Sequence, residues 1–393
     1  MAHDAAHTSS GRTKWSVAAL YGLVGGIVIA VLVMAFVWPA ATSQPKNLPV
    51  GISGPAERVA AVEAALDAQD PAPFTLVDVD SRDDAVSQIE SRELYGAILL
   101  DGPEVLVATA AGPAATQALR GVAAQLQAQI SETAQAALLA QLQQLGAALA
   151  SGQPPASPPP AGAAPEIPQV TVTDVVPLAG SDPTGAGLAA ASFPLTIGGI
   201  LGGILLSLLV AGAVRRLIGL LVFGVTAGVL AALVMQTWFG LLQGDWLLNA
   251  AALGLGMTAT AAFITGMNAV FGRPGLGIAA IVTILIANPI SAAAAPWQFL
   301  PEPWGQIGQF FVPGAASNLI RSLSYFPDAA TAMQWTILTC WLIGGVVLTL
   351  IGHYRDQADL RVPADQLEPA PDAGAEATDR SAVRAGSAAS QSA

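Results

Sequence analysis

The chain has one cysteine, Cys340, three histidines (His3, His7 and His353) and two lysines (Lys14 and Lys46) in 393 residues. A single cysteine inside an apolar run excludes a disulfide framework. With so few His and Cys ligands, a zinc centre of the usual kind is not expected. Charged residues make up 11% of the chain, against about 25% in ordinary soluble proteins. No GxxxxGK[ST] loop occurs, so ATP hydrolysis by a phosphate-cradling loop is excluded. HExxH is absent too, as is a pair of aspartates inside an apolar segment. GxG fragments such as Gly254-Leu255-Gly256 lie within apolar stretches and read as packing glycines. The chain is therefore not expected to be an enzyme, and no cofactor is implied.

What it has in abundance is apolar sequence, unevenly placed. Hydrophobic residues are 53% of the chain and mean hydropathy is +0.58. One isolated run, Val17 to Trp38, is followed by about 150 residues of water-soluble character and then by near-continuous apolar sequence from Phe193 to Gly352. About 20 apolar residues suffice to cross a bilayer as a helix. The layout predicts a polytopic α-helical membrane protein with six transmembrane helices, one plus five. The expected spans are Val17–Trp38, Phe193–Val214, Leu217–Met235, Leu247–Phe271, Gly275–Ala295 and Thr331–Gly352. The first apolar core runs 22 residues, longer than the 7–15 of a cleaved signal, and reads as a retained anchor.

Basic residues orient these spans. Arg12 and Lys14, Arg215-Arg216, Arg273 and Arg355 all fall at the ends that alternate to one side, the cytoplasmic side by the positive-inside bias. Both termini are then cytoplasmic, residues 40–190 are extracytoplasmic, and the membrane is the plasma membrane. Pairs of small residues four apart (Gly22/Gly26, Gly198/Gly202, Gly199/Gly203 and Gly224/Gly228) read as close helix packing.

Residues 40–190 carry sixteen acidic and five basic side chains, which makes a nucleic-acid partner unsuited. Strand and helix patterns alternate there: strands over 47–54 and 74–80, helices over 55–69 and 82–93, strands over 95–100 and 105–110. This order predicts a small α/β domain. A long helix over 114–150 with apolar steps of three and four needs a partner surface. A Pro-rich linker over 153–168 follows, then a strand over 169–176. Asp78-Val79-Asp80 could hold a metal ion but reads as solvated acids at a strand end. The tails, residues 1–14 and 353–393, are polar, and the second is expected to be disordered.

Candidate pathway residues lie in and beside the apolar block. The stretch 297–330 is rich in Trp, Phe and Pro and predicts a re-entrant or interfacial outer loop. Its charges are Glu302, Arg321 and Asp328. Arg321 reads either as a side chain snorkelling to head groups or as an outer gate paired to Glu302 or Asp328. Asn268 and Asn288, inside two spans, read as polar glue or as pathway lining.

The architecture resembles that of type-2 ABC-exporter permeases, and the phage-infection-protein-like branch in particular. Pro296, Leu300-Pro301, Pro313-Gly314 and the run Arg321-Ser322-Leu323-Ser324-Tyr325-Phe326 resemble that branch before its last span. The resemblance implies a transmembrane subunit exporting a substrate, with a separate ATPase subunit and as a homodimer. The cytoplasmic turn at Arg215-Arg216 is short for an ATPase contact. The alternative is an envelope or secretion scaffold whose extracytoplasmic domain binds other proteins.

Overall fold

A computed structural model describes residues 14–150 and 167–358. The linker expected over 153–168 lies almost wholly outside the described residues, as do the tail 1–13 and residues 359–393. The chain begins with helix α1 (Trp15–Thr42), then β1 (Leu48–Ser53), α2 (Ala56–Asp67), β2 (Phe74–Asp78), α3 (Arg82–Glu90), β3 (Gly96–Leu99) and β4 (Glu104–Val107). After a short turn at Thr109–Ala111 come α4 (Pro113–Ala150) and β5 (Thr171–Asp174).

The five strands form one sheet in the order β2-β1-β3-β4-β5. All pairings are parallel except β3 with β4, whose hairpin pairs Gly96 with Val107 and Leu99 with Glu104. Side chains alternate between faces along a strand, and both faces are covered. Val50, Ile52, Ile98, Val105 and Val107 pack on one side against Leu66 of α2 and Leu119 and Val122 of α4. Ala97, Leu99 and Leu106 point the other way, against Ala85 and Ile89 of α3. Each such leucine or isoleucine, fully buried, contributes roughly 1.5–3 kcal/mol. The start of α3 is capped by Ser81, whose hydroxyl accepts from Asp84 N at 3.1 Å, with Asp83 and Asp84 in the first turn, favourable against the helix dipole.

One exposed ion pair ties this sheet. Arg82 Nε donates to Glu104 Oε2 at 3.0 Å, and Thr173 Oγ1 donates to Glu104 Oε1 at 2.6 Å. The Arg82 hydrogen bond, helped by Thr173, holds the Glu104 carboxyl below its usual range. A depressed pKa means stability that is present above the ordinary glutamate range and lost as pH falls through the folded-state value. Glu104→Gln should therefore melt slightly below the parent at neutral pH, the gap closing as the medium is acidified. The effect is small because the pair faces solvent; a gap that widened in acid would contradict it.

The described residues from Ala186 on are mostly helical: α5 (Ala186–Leu209), α6 (Ala213–Ala232, continued by a π-turn to Trp238), α7 (Trp246–Phe271), α8 (Arg273–Ile281, continued by a π-turn to Ala287), α9 (Trp304–Gly308), α10 (Val312–Tyr325) and α11 (Ala332–Ala358). Among the described residues five helical stretches are long and apolar enough to cross a membrane: Trp15–Pro39, Ala186–Leu209, Ala213–Trp238, Trp246–Phe271 and Ala332–Tyr354. The chain is a polytopic helical membrane protein with a small sheet. The stretch expected to span over Gly275–Ala295 is a shorter helix, Arg273–Ala287, about 22 Å long at 1.5 Å per residue. Asn288 keeps helical angles (φ −70°, ψ −48°), and Pro289–Ser291 adds a 3-10 turn before the helical path ends. The chain then reverses through Ala292, a non-glycine residue at φ 53°.

Helix α7 is the centre of the bundle, with α5, α6 and α11 around it. Small residues admit the close contacts. A Cβ on Gly266 would lie 2.6 Å from the Gly345 carbonyl oxygen and 2.8 Å from Leu348 Cβ. Gly199, Gly203, Gly224 and Gly228 likewise face α7, whereas Gly22 and Gly26 of α1 face nothing within 4 Å. Helix α1 is exposed along most of its length; it packs on the end of α8 and on Pro289–Ser291, with Phe36 edge-on to Phe193 at 5.8 Å and Trp38 edge-on to Trp304 at 6.3 Å.

The stretch 297–330, expected as a re-entrant or interfacial outer loop, packs against both the sheet domain and the bundle. Helix α10 starts behind Phe311 with Pro313 in its first turn, and it is buried on nearly every side, between the sheet and α7. Leu319, Ile320 and Phe326 share one apolar core with Leu106 and Ala110 of the sheet domain and with Leu253 and Met257 of α7. The sheet domain and the bundle are thus joined by a continuous core with α10 as its middle layer.

Candidate functional site

That middle layer carries charge. Arg92 follows α3 in the left-handed region, at φ 63°, which turns its side chain across to α10. Its Nη1 donates to Ser322 Oγ at 2.6 Å and to the Asn318 side-chain oxygen, and the guanidinium lies 5.1 Å over the Phe326 ring. Arg321, one turn further along α10 from Asn318, is only 9% exposed. Its Nη1 donates to Ala110 O at 2.9 Å and its Nη2 to Ala293 O at 3.0 Å. A single side chain therefore holds together α10, the turn before α4 and the segment after α8. Nearby, Tyr95 OH donates to Gln298 Oε1 at 3.2 Å.

Among the described residues neither arginine has a carboxylate partner. The ion pairs among the described residues are Arg58–Asp101 and Arg82–Glu104, both elsewhere. Burial lowers the pKa of Arg92. Burial raises Tyr95, against the pull of Arg92. A buried cation without a counterion costs several kcal/mol, offset here by charge-assisted bonds to carbonyls of about 1.5–3 kcal/mol each. Two buried guanidiniums left without an acid form a place of positive potential.

Three cavities converge on Ala293, the residue whose carbonyl Arg321 holds. A small polar cavity of about 30 Å³ is lined by Arg92, Tyr95, Trp297, Asn318 and Arg321. A second, of about 40 Å³, lies between α5, α7 and α10, lined by Ser192, Thr196, Thr260, Ser317 and Arg321. Each has room for a few waters. The third is a cleft of about 590 Å³ between the ends of α1 and α5, walled by Phe36, Phe193, Pro289, Ala294 and Leu300.

The residues singled out from sequence fall unevenly around this site. Arg321 is at its centre. Glu302 and Asp328 are exposed, and the expected pairing of Arg321 with either is replaced by the two backbone carbonyls. Burial under the sheet also replaces snorkelling. Asn288 lines the apolar cleft, and its Nδ2 is buried with no hydrogen-bond partner. Asn268 lies elsewhere, in the last turn of α7, where its carbonyl accepts from Gly272 N at 2.8 Å. Missed altogether were Arg92, Tyr95 and Asn318, together with Asn249, which is fully buried and donates to Gln236 Oε1 at 3.0 Å and to Gln243 O at 2.7 Å. Nothing in the local sequence of Arg92 marks it, because its partners are more than two hundred residues away.

At the opposite end of α5, Arg216 donates through Nε to Val210 O at 2.8 Å and through Nη2 to Ser207 O at 3.1 Å. It caps the last carbonyls of that helix and is thereby committed within the chain. No protein-family model, no curated protein and no solved structure matches this chain.

Proposed function

We propose that this is a permease-like protein of the type-2 ABC-exporter superfamily, in the phage-infection-protein-like branch, acting in export across the plasma membrane. In this reading both termini are cytoplasmic, the sheet domain is extracytoplasmic, and the six crossings include α8. That short helix enters from the cytoplasmic side, and the segment from Pro289 through α10 completes the outer half beneath the sheet domain. The carrying observation is the position of Arg321. It joins the sheet domain to the broken crossing and lines a small, mostly apolar cavity in the bundle, as an outer gate in its closed state would.

A scaffold role is the second reading. The far part of α4 leaves Leu138, Leu139 and Leu142 exposed, a surface fitted to another protein or to α4 of a second copy. The use of Arg216 as an internal cap also leaves little cytoplasmic surface for an ATPase.

Purifying the tagged full chain from its own membranes in mild detergent should bring down an ATPase subunit in near-stoichiometric amount, identified by mass spectrometry. Recovery of intact chain with no ATPase would overturn coupled export and favour the scaffold.

A further inference from the structure

We propose that the cleft between α1 and α5, together with the Arg92–Arg321 pair behind it, is a binding site for one anionic membrane lipid. Its acyl chains would lie in the cleft and its phosphate would reach the arginines.

Three observations point to this occupant. The cleft is apolar and large, about 590 Å³, and lies between two membrane-crossing helices, α1 and α5. At its edge, Asn288 Nδ2 is buried and unpartnered, an amide donor placed for an ester or phosphate oxygen. Ser291, Ala292, Ala293 and Ala295 of its wall also line the small polar cavity of Arg92 and Arg321. Cleft and charge are therefore separated by one thickness of backbone. An apolar groove backed by two uncompensated cations is complementary to a molecule with apolar tails and a single anionic head.

The chemistry of the exchange is specific. Arg321 Nη2 now donates to Ala293 O at 3.0 Å. An anionic phosphate oxygen is the stronger acceptor for a guanidinium and takes the place of that carbonyl. The release is assisted by the backbone, since Ala292, next to Ala293, sits at φ 53°, a left-handed conformation unfavourable for a non-glycine residue.

The inference uses the proposed membrane orientation but not export itself, and it is tested by lipid retention without any ATPase, so either reading can fail alone. The full chain would be equilibrated in mixed micelles containing phosphatidylglycerol or phosphatidylcholine and the retained lipid counted by native mass spectrometry. The wild type should keep about one phosphatidylglycerol per chain and at least tenfold less phosphatidylcholine. Arg321→Gln should abolish that preference. Ala294→Trp, which fills the cleft and leaves both arginines in place, should lose the lipid while its melting temperature stays near that of the parent. Equal retention of the two lipids overturns the proposal. So does a result in which inorganic phosphate alone raises the melting temperature as much as phosphatidylglycerol and Ala294→Trp changes nothing, because the site would then be one for a free anion.

Discussion

Arg321→Ala should open the cavity between α5, α7 and α10 to water. In a Cys340→Ser background, needed because Cys340 is exposed, a cysteine at Ser317 should react with a membrane-impermeant maleimide at least tenfold faster once Arg321 is removed. The magnitude follows from what the side chain holds. Two charge-assisted bonds, to Ala110 O and Ala293 O, are each worth about 1.5–3 kcal/mol, and 1.4 kcal/mol is tenfold in an equilibrium. Arg321→Lys should fall between the two, because an ammonium keeps the charge but lacks the planar fork that spans both carbonyls. Unchanged labelling of Ser317→Cys in the alanine variant would show that Arg321 does not hold the cavity shut.

The second large effect is expected where α7 meets α11. Gly266→Val should cost the folded bundle more than 3 kcal/mol, at or beyond the upper end of ordinary overpacking. The atoms a side chain would meet are the Gly345 carbonyl oxygen at 2.6 Å and Gly345 Cα at 3.2 Å, and backbone in the centre of a bundle has nowhere to go. Gly277 of α8 is the control, since a Cβ there meets nothing within 4 Å. Gly277→Ala should be neutral or stabilising, as Ala is favoured over Gly in a helix by about 0.8–1 kcal/mol. Melting followed by fluorescence-detected size exclusion distinguishes the two; similar melting points for Gly266→Val and Gly277→Ala would sink the close-contact account.

Much of the architecture is legible from period alone. Leu106 points away from Val105 and Val107, Ala97 and Leu99 away from Ile98, and the structure sorts them to opposite faces of the sheet as the alternation requires. The long helix is visible in apolar steps of three and four. Pro289 marks the change from α8 to a 3-10 turn, yet an apolar run through Ala295 masks it in any reading by hydropathy. The candidate site is mostly illegible for a different reason. The acceptors of Arg321 are the carbonyls of two alanines, which carry no side-chain signature, and Arg92 reaches Ser322 only because the fold brings α3 onto α10. Charge in a sequence suggests an acid as partner; here the partner is backbone.

Helix α4 has a mechanical consequence. Its side chains buried in the sheet domain, Ala115, Thr116, Leu119, Val122 and Ala123, all lie near its first residues, while the 38-residue helix extends about 57 Å at 1.5 Å per residue. It begins at Pro113, just after Gly112, whose φ of 138° is open to glycine alone, and Ala110, which accepts from Arg321, comes two residues earlier. The arrangement is a long lever with its fulcrum beside the arginine latch. A tilt of ~5° displaces the free end by ~5 Å over that length yet moves the carbonyl of Ala110 by only a fraction of an ångström. Force applied at the tip, by a partner or a second copy, is multiplied by that ratio where it meets Arg321.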